Sequence, residues 1–270
     1  MTGKDFKEQE VDNIIKKQLD QELTIVSNEQ IADKVFKMRL KGDTSLLTAP
    51  GQFINIKLTG FYLRRPISVS DYDSEGLTII YKVVGNGTDL LSNMKAGEKL
   101  MCLMGLGNGF DTSVCEDHVL LVGGGVGTPP MYGLAKELLK QGKRVSVVLG
   151  FNSSADVFYD NEFKALEQEI PGSHVDVRVS TVDGSYGIKG FVTDCLTGLD
   201  DITDYCACGP MPMLKALYRY YDKKVTGQLS FEERMGCGFG ACVGCSISTN
   251  SGFKKVCKDG PVFSSEDVIL

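Results

Sequence analysis

The chain has 270 residues, of which 42% are apolar, and a formal net charge of −6. That length accommodates two domains with cores of their own and a small appendage. The acidic balance lacks the clustered basic surplus that a phosphate-binding face needs, which excludes nucleic acid as an expected partner.

Residues 1–22 read as a polar extension, in which Val11, Ile14, Ile15 and Leu19 have helical spacing. The first residues are charged throughout, with no apolar segment of the kind that directs export, and no apolar run in the chain is long enough to cross a bilayer. The expected compartment is the cytoplasm, with no membrane contact. From 23 to 112 the pattern is β-rich. LTIVSNEQIADKVFKMRL, GQFINIKL, PISVSDYD and LTIIYKVV predict short strands between Gly, Asp and Asn turns, hence a small antiparallel β-barrel. From 113 to 225 strands alternate with helices. HVLLVGG, RVSVVLGF, HVDVRVST and DYCAC read as strands, and PPMYGLAKELLKQG, NEFKALEQEI, GFVTDCLTGL and MPMLKALYRYY as helices. That alternation predicts a Rossmann-like, parallel, doubly wound sheet, so the whole is of the β plus α/β class. Residues 226–270, rich in Gly and Cys, form a third small unit.

The third unit carries the most specific pattern. Cys237, Cys242, Cys245 and Cys257 are spaced C-x4-C-x2-C-x11-C within MGCGFGACVGC and KVCKDGPVF. The first three match the plant-type [2Fe–2S] arrangement, with the fourth ligand further on. Two irons need four converging thiolates. Gly236, Gly238, Gly240 and Gly244 let the backbone fold over an anionic cluster and aim amides at it, and Ala241 and Val243 are placed to shield it. Two readings compete: structural zinc on four cysteines, which normally uses paired short knuckles, and a set of unrelated buried thiols, against which stand three cysteines within nine residues of a Gly-rich loop. The other cysteines, Cys102, Cys115, Cys195, Cys206 and Cys208, are scattered, as buried core thiols are. Nine cysteines in all, an odd number with no export signal, argue against a disulfide framework.

Two further loops suit anions. Arg65-Pro66-Ile67-Ser68 offers a guanidinium fork for a pyrophosphate and a hydroxyl for a ring nitrogen, on a turn stiffened by proline. Gly85-Asn86-Gly87-Thr88 opens a helical stretch whose free N–H groups would face a ligand. Either could equally be an ordinary surface turn. In the α/β region, Gly123-Gly124-Gly125-Val126-Gly127-Thr128-Pro129 joins a buried strand to a helix with proline in its first turn, a phosphate-approach loop. It departs from G-x-G-x-x-G, and the second strand ends at Phe151-Asn152 without a ribose-binding acid. No cluster of Arg or Lys follows that strand, which favours NADH over NADPH.

The order of these motifs resembles the ferredoxin–NADP reductase superfamily, with FAD on a barrel and NAD(P) on the domain that follows. Arg65 and Ser68 match the fixed positions of its R-x-x-S motif, and Ile67 stands where many members have an aromatic residue. The resemblance implies FAD contacts from Arg65, Pro66, Ile67, Ser68, Ile80, Tyr81, Lys82, Gly87 and Thr88. It also implies that Cys208-Gly209-Pro210-Met211 is the turn whose cysteine lies beside the nicotinamide; read without it, Cys208 is a buried thiol at a strand end. With the cluster loop added, the chain looks like the electron-transfer subunits of class 1B dihydroorotate dehydrogenases. The residues that carry this are RRPIS (Arg64–Ser68), GNGTDLL (Gly85–Leu91), VGGGVGTPPM (Val122–Met131), TVDGSYGIKGFVTD (Thr181–Asp194), CGPMPML (Cys208–Leu214) and the cysteine loop. The resemblance places Asp183 with the NAD-binding set. It implies a heterotetramer with an FMN-containing catalytic subunit that oxidises dihydroorotate, with electrons passing through the cluster and FAD to NAD+. It implies no protein acid or base, and the two histidines, His118 and His174, fall in none of these motifs. Two other readings stand beside it. One is the reductase subunit of a hydrogenase, sulfite reductase or ferredoxin–NADP transhydrogenase. The other is a zinc-stapled, non-enzymatic redox or interaction module.

Overall fold

The computed structural model describes residues 20–222 and 224–270. The predicted helix through Val11, Ile14, Ile15 and Leu19 lies outside the described residues. Six antiparallel strands come first: β1 (Asp20–Ala32), β2 (Val35–Lys41), β3 (Phe53–Lys57), β4 (Arg65–Asp73), β5 (Gly76–Lys82) and, after helix α1 (Asn86–Asn93), β6 (Lys99–Leu106). They close into a barrel in the order β1-β2-β5-β4-β3-β6. Period-two alternation fills it: Met38, Leu40, Ile54, Ile56, Leu77, Ile79, Leu100, Cys102 and Met104 are all buried inside. Strand β6 has no counterpart among the predicted strands. Its outward residue Leu103 is also apolar and packs on a second core cluster, so the polar half of the alternation that marks a half-exposed strand is missing.

The second layer holds β7 (His118–Gly124), α2 (Thr128–Lys140), β8 (Arg144–Phe151), α3 (Asp160–Glu169), β9 (Val175–Thr181), β10 (Ile188–Lys189), β11 (Asp204–Cys208), α4 (Met211–Tyr221) and β12 (Thr226–Ser230). After the hairpin β13 (Ser246–Thr249) and β14 (Gly252–Lys255), the chain returns as β15 (Val262–Ser264). The sheet order is β10-β9-β8-β7-β11-β12-β15, parallel except for β15. Residues 231–261 are therefore an excursion between the last two strands at one side of the sheet, β12 and the edge strand β15. Strand β7 is buried along its whole length, as a parallel strand covered on both faces must be. Ile80 on the outside of β5 packs with Met131 and Leu134 of α2, which joins barrel to sheet. Among the described residues no helix is long and apolar enough to cross a membrane.

The predicted helix GFVTDCLTGL is instead a single 3-10 turn at Val192–Cys195. The Asp194 carboxylate accepts the Phe191 N–H at 2.7 Å, and Gly198 turns the chain away with φ of +78°. Seven residues between two such breaks cannot sustain a helix.

His118 sits at the opposite end of the sheet from the glycine loop, about 20 Å away at the rise of a β-strand. Its ring contacts Asp201 at 3.0 Å and Ser146 Oγ at 2.9 Å. His118→Ala should lower the unfolding free energy by about 1–3 kcal/mol, because Ser146 is left buried without its partner. NADH-dependent flavin reduction should be unchanged. Denaturant unfolding and stopped-flow mixing with NADH check the two halves of this expectation.

Candidate cofactor sites

The sheet order reverses between β7 and β11, and ligands of open α/β sheets bind in the crevice at such a point. A cavity of about 460 Å³ lies there, at the C-terminal ends of β7, β8, β9 and β11. Its walls include Gly124, Gly125, Val126, Asn152 and Pro210. The two predicted nicotinamide loops meet in this crevice. A Cβ on Gly127 would overlap the Cys208 carbonyl and lie 2.7 Å from Gly209 Cα, and one on Gly124 would lie 2.6 Å from Met213 Sδ. Gly125, with φ of +52°, turns the chain into α2, where Pro129 occupies the first turn. Thr128 is fully buried beneath this loop, and its Oγ1 has no partner among the described residues. Burial pushes the Cys208 thiol up to about 12, although the Ser230 hydroxyl acts the other way, so Cys208 is a neutral thiol at the end of β11, where its backbone meets Gly127. Met211 turns toward the core beneath α4, while Pro210, Pro212 and Met213 line the crevice. Asp183 is exposed, and its carboxylate accepts the Ser185 N–H at 2.9 Å and hydroxyl at 2.6 Å. The neighbouring Val182 is the residue that faces the cavity.

The two barrel motifs also meet. The Arg65 guanidinium lies 4.8 Å from the Phe61 ring centroid on one side, and a Cβ on Gly87 would lie 2.7 Å from its Cζ on the other. Among the described residues no carboxylate pairs with it, whereas Arg64 is held by both oxygens of Asp20. Arg65 and the N-terminus of α1 thus form one cationic corner suited to a pyrophosphate. Thr88 shapes that corner: its hydroxyl accepts the Val84 and Gly85 N–H groups and donates to the Gly85 carbonyl. On β4, Pro66 and Ser68 stand opposite Asn55 and Phe53 of β3, and Ile67 packs against the barrel core. Tyr81 points into the barrel and donates to Asn28 at 2.9 Å, which leaves its backbone for a ligand. Lys82 reaches across to Asp156 at 3.1 Å, tying the barrel to the mouth of the crevice. Arg65→Ala should weaken FAD retention by about 1.5–3 kcal/mol, roughly 10- to 100-fold, as for loss of a charge-assisted hydrogen bond. Titration of the apoprotein with FAD measures it.

In the cysteine loop the sulfurs form two pairs. The Cys242 N–H points at Cys237 Sγ at 3.4 Å, and the Cys257 N–H points at Cys245 Sγ at 3.5 Å. The Gly240 N–H also points at Cys257 Sγ at 3.2 Å. Gly238 and Gly240 have φ of +81° and +88°, a conformation that costs glycine nothing. Burial opposes ionisation of Cys237, yet the N–H groups of Cys242, Phe239 and Ala241 outweigh it and bring that thiol down to about 6. Burial, and then the neighbouring Cys245 thiol, push Cys257 up to about 12. Among the described residues no three His, Cys, Asp or Glu side chains converge as a single metal ion requires. Two thiol pairs with amides aimed at sulfur fit a two-iron cluster, with one pair for each iron, better than a tetrahedral zinc site. Cys245 and Cys257 are buried, and Cys237 and Cys242 are half-buried on the outer side. Ala241 and Val243, expected to shield the cluster, face solvent, and the covering comes from Val256 and the sheet beneath.

Several residues that shape these sites have no role assigned from the sequence: Asn55 and Asp156 fall in no site motif, and Phe191 and Met213 lie within TVDGSYGIKGFVTD and CGPMPML without a role of their own. Asp156, Phe191 and Met213 line the crevice at or just beyond strand ends, where the rule for open α/β sheets would have directed attention.

Known proteins share this arrangement. Residues 121–219 match the family described as Oxidoreductase NAD-binding domain, and residues 232–269 match the Iron-sulfur cluster binding domain of dihydroorotate dehydrogenase B. The chain is 48% identical over 261 residues to the Dihydroorotate dehydrogenase B (NAD(+)), electron transfer subunit of Bacillus pumilus, covering 92% of this chain and 97% of that one. Identity to the protein of the same name from Bacillus velezensis is 45% over 260 residues, covering 92% and 98%. Among solved structures, an NADH-dependent reduced ferredoxin-NADP oxidoreductase chain is similar with a TM-score of 0.80 and 32% identity, over 92% of this chain and 89% of that one. Identity at this level across nearly the whole chain, with the same loops assembled on the same barrel and sheet, leads to one assignment: the protein belongs to the family of dihydroorotate dehydrogenase B electron transfer subunits.

Proposed function

We propose that this subunit links a separate FMN-containing catalytic subunit to NAD+, with FAD on its barrel and a [2Fe–2S] cluster on Cys237, Cys242, Cys245 and Cys257. The net reaction, dihydroorotate + NAD+ → orotate + NADH + H+, balances two electrons. When bound, the cofactors supply hydride exchange between nicotinamide and flavin and one-electron exchange at the cluster. The chain's own residues bind, orient and insulate them. Arg65 and the amides opening α1 hold the FAD pyrophosphate, and Pro66 and Ser68 present the flavin edge. The loop Gly123–Pro129 receives the NAD pyrophosphate at the N-terminus of α2. Cys208, kept neutral, packs beside the nicotinamide without adding charge. Among the described residues Lys82 is the one Lys or Arg in the crevice wall, and it is already paired with Asp156; a wall without a free cation for a 2′-phosphate favours NAD over NADP. The working assembly is two of each subunit in the cytoplasm.

The observation that carries this reading is convergence: Arg65 lies on Gly87, Gly127 lies on Cys208, and four thiols stand in two pairs. An anaerobic visible spectrum before and after NADH tests it. Flavin bands over broad thiolate-to-iron absorption, both bleached by NADH, are expected. Dihydroorotate-dependent NAD+ reduction should appear only when the FMN subunit is added. A protein that stays colourless after reconstitution would sink the reading. The likeness to the ferredoxin-NADP oxidoreductase chain supports a second reading, in which the partner exchanges electrons with ferredoxin. Turnover with reduced ferredoxin, and none with dihydroorotate and the FMN subunit, would favour it.

A further inference from the structure

Strand β3 serves two structures at once. Ile54 and Ile56 are buried in the barrel, so the alternation of a strand turns Phe53 and Asn55 outward. Phe53 joins the apolar cluster that contains Cys245, Val256 and Cys257. Asn55 is 1% exposed, and its Nδ2 donates to the Cys237 carbonyl at 3.3 Å. A carbonyl only accepts, so the NH2 end of the amide faces the loop and Oδ1 faces away. That Oδ1 is buried and has no partner among the described residues. Such groups are uncommon and call for a reason, here the contact made by the other end of the amide. Gly238 permits that contact: a Cβ there would overlap Asn55 Nδ2 and lie 3.2 Å from its Cγ.

On the neighbouring strand, Pro66 opposes Asn55 and Ser68 opposes Phe53. Opposed residues of an antiparallel pair share a face. The outward face of β3 therefore meets the flavin motif along one edge and the cysteine loop above it. A second amide, Asn108 just past β6, donates to the Lys258 and Asp259 carbonyls at 3.3 and 3.1 Å, but it is exposed.

We propose that Asn55 is a positioning residue that holds the Cys237 end of the cysteine loop against the strand beside the flavin motif, and so sets the separation and coupling between flavin and cluster. This rests on the cofactor assignment above. Asn55 touches neither reacting group directly; it acts through the Cys237 carbonyl. Electron exchange falls steeply with separation, so a loop released from β3 should exchange electrons with the flavin more slowly while both groups stay bound.

The test uses the full chain carrying FAD and cluster. Asn55→Asp keeps the shape of the side chain but has no N–H for the Cys237 carbonyl, and Asn108→Ala is the control at the exposed tether. After anaerobic mixing with NADH, flavin and cluster bands are followed separately. The reduced cluster is examined by electron paramagnetic resonance, and amide exchange is measured over residues 236–242. Asn55→Asp is expected to keep its FAD, its iron and its flavin reduction rate, while cluster reduction slows roughly tenfold or more, as small displacements of reacting groups do. The resonance g values should shift and amide exchange should rise, with Asn108→Ala close to wild type in each. If Asn55→Asp does not retain iron, Asn55→Ser is read in the same way, and the exchange measurement needs no iron. Wild-type values for cluster reduction, resonance and exchange in a fully loaded Asn55 variant would overturn the proposal alone. A wild-type protein without flavin and iron bands would overturn the cofactor assignment and the proposal together.

Discussion

Cys245→Ser should give a flavoprotein without iron. Cys245 is 1% exposed and faces Cys257, so a hydroxyl there puts a harder, far less acidic ligand in a buried pair. Iron should fall from about two atoms per chain to near none, as expected when one of four cysteine ligands is removed. FAD should remain, because its corner at Arg65 and Gly87 lies on the barrel, and NADH should still bleach the flavin. Electron transfer from the catalytic subunit to NAD+ should fall by two orders of magnitude or more, about 3 kcal/mol in barrier. Iron and sulfide analysis with electron paramagnetic resonance decides the first part, and coupled dihydroorotate turnover the second. Cys102→Ser is the contrast: that thiol is fully buried in the barrel core and should keep its iron. A Cys245→Ser protein that binds two irons would show the ligand set to be wrong.

Gly127→Ala should disable the nicotinamide side while sparing the rest. The new methyl group would overlap the Cys208 carbonyl oxygen and come within 2.7 Å of Gly209 Cα. Both are backbone, so the overlap is relieved only by moving the glycine loop away from the Cys208-Gly209 turn. Overpacking of this kind costs about 1–3 kcal/mol. Since the two loops together form the crevice wall, NADH-dependent flavin reduction should drop at least about tenfold, the equivalent of about 1.4 kcal/mol, with FAD and iron content unchanged. Gly125→Ala separates collision from backbone strain. Gly125 has φ of +52° but nothing within 4 Å of a Cβ, so only the left-handed conformation, about 1–2 kcal/mol, opposes that change. Stopped-flow reduction at varied NADH resolves binding from hydride transfer in both variants. Gly127→Ala reacting as fast as wild type would show that this contact does not shape the crevice.

The amino-acid sequence by itself determined what is encoded by neighbours. Four cysteines at C-x4-C-x2-C-x11-C, a glycine run between a buried strand and a proline-started helix, and an arginine three residues ahead of a serine on the same strand are local patterns. The arginine–serine and glycine patterns and the first three cysteines are each set by backbone geometry over fewer than about a dozen residues, and the fourth cysteine follows on the same short excursion of chain. The barrel followed by a parallel sheet was legible for the same reason, since strand and helix periodicities are local. Only the tertiary structure decided which groups meet. Residues far apart in the chain come together: Asn55 with Cys237, Arg65 with Gly87, Gly127 with Cys208. Nothing local to either partner specifies those contacts. They depend on strand register, and a shift of one residue in β3 would turn Asn55 inward and Ile54 toward the cysteine loop. The division of the cysteines into Cys237 with Cys242 and Cys245 with Cys257 is of the same kind, because the spacing alone permits other pairings. Strand β6 and the 3-10 turn at 192–195 were misread where tertiary packing overrides the local signal. In β6, apolar residues on both faces hid the alternation, and at 192–195 the Asp194 carboxylate took the N–H that a longer helix would have used. Chain-local geometry writes motifs, and long-range packing, driven by burial of apolar surface without regard to sequence distance, decides what those motifs face.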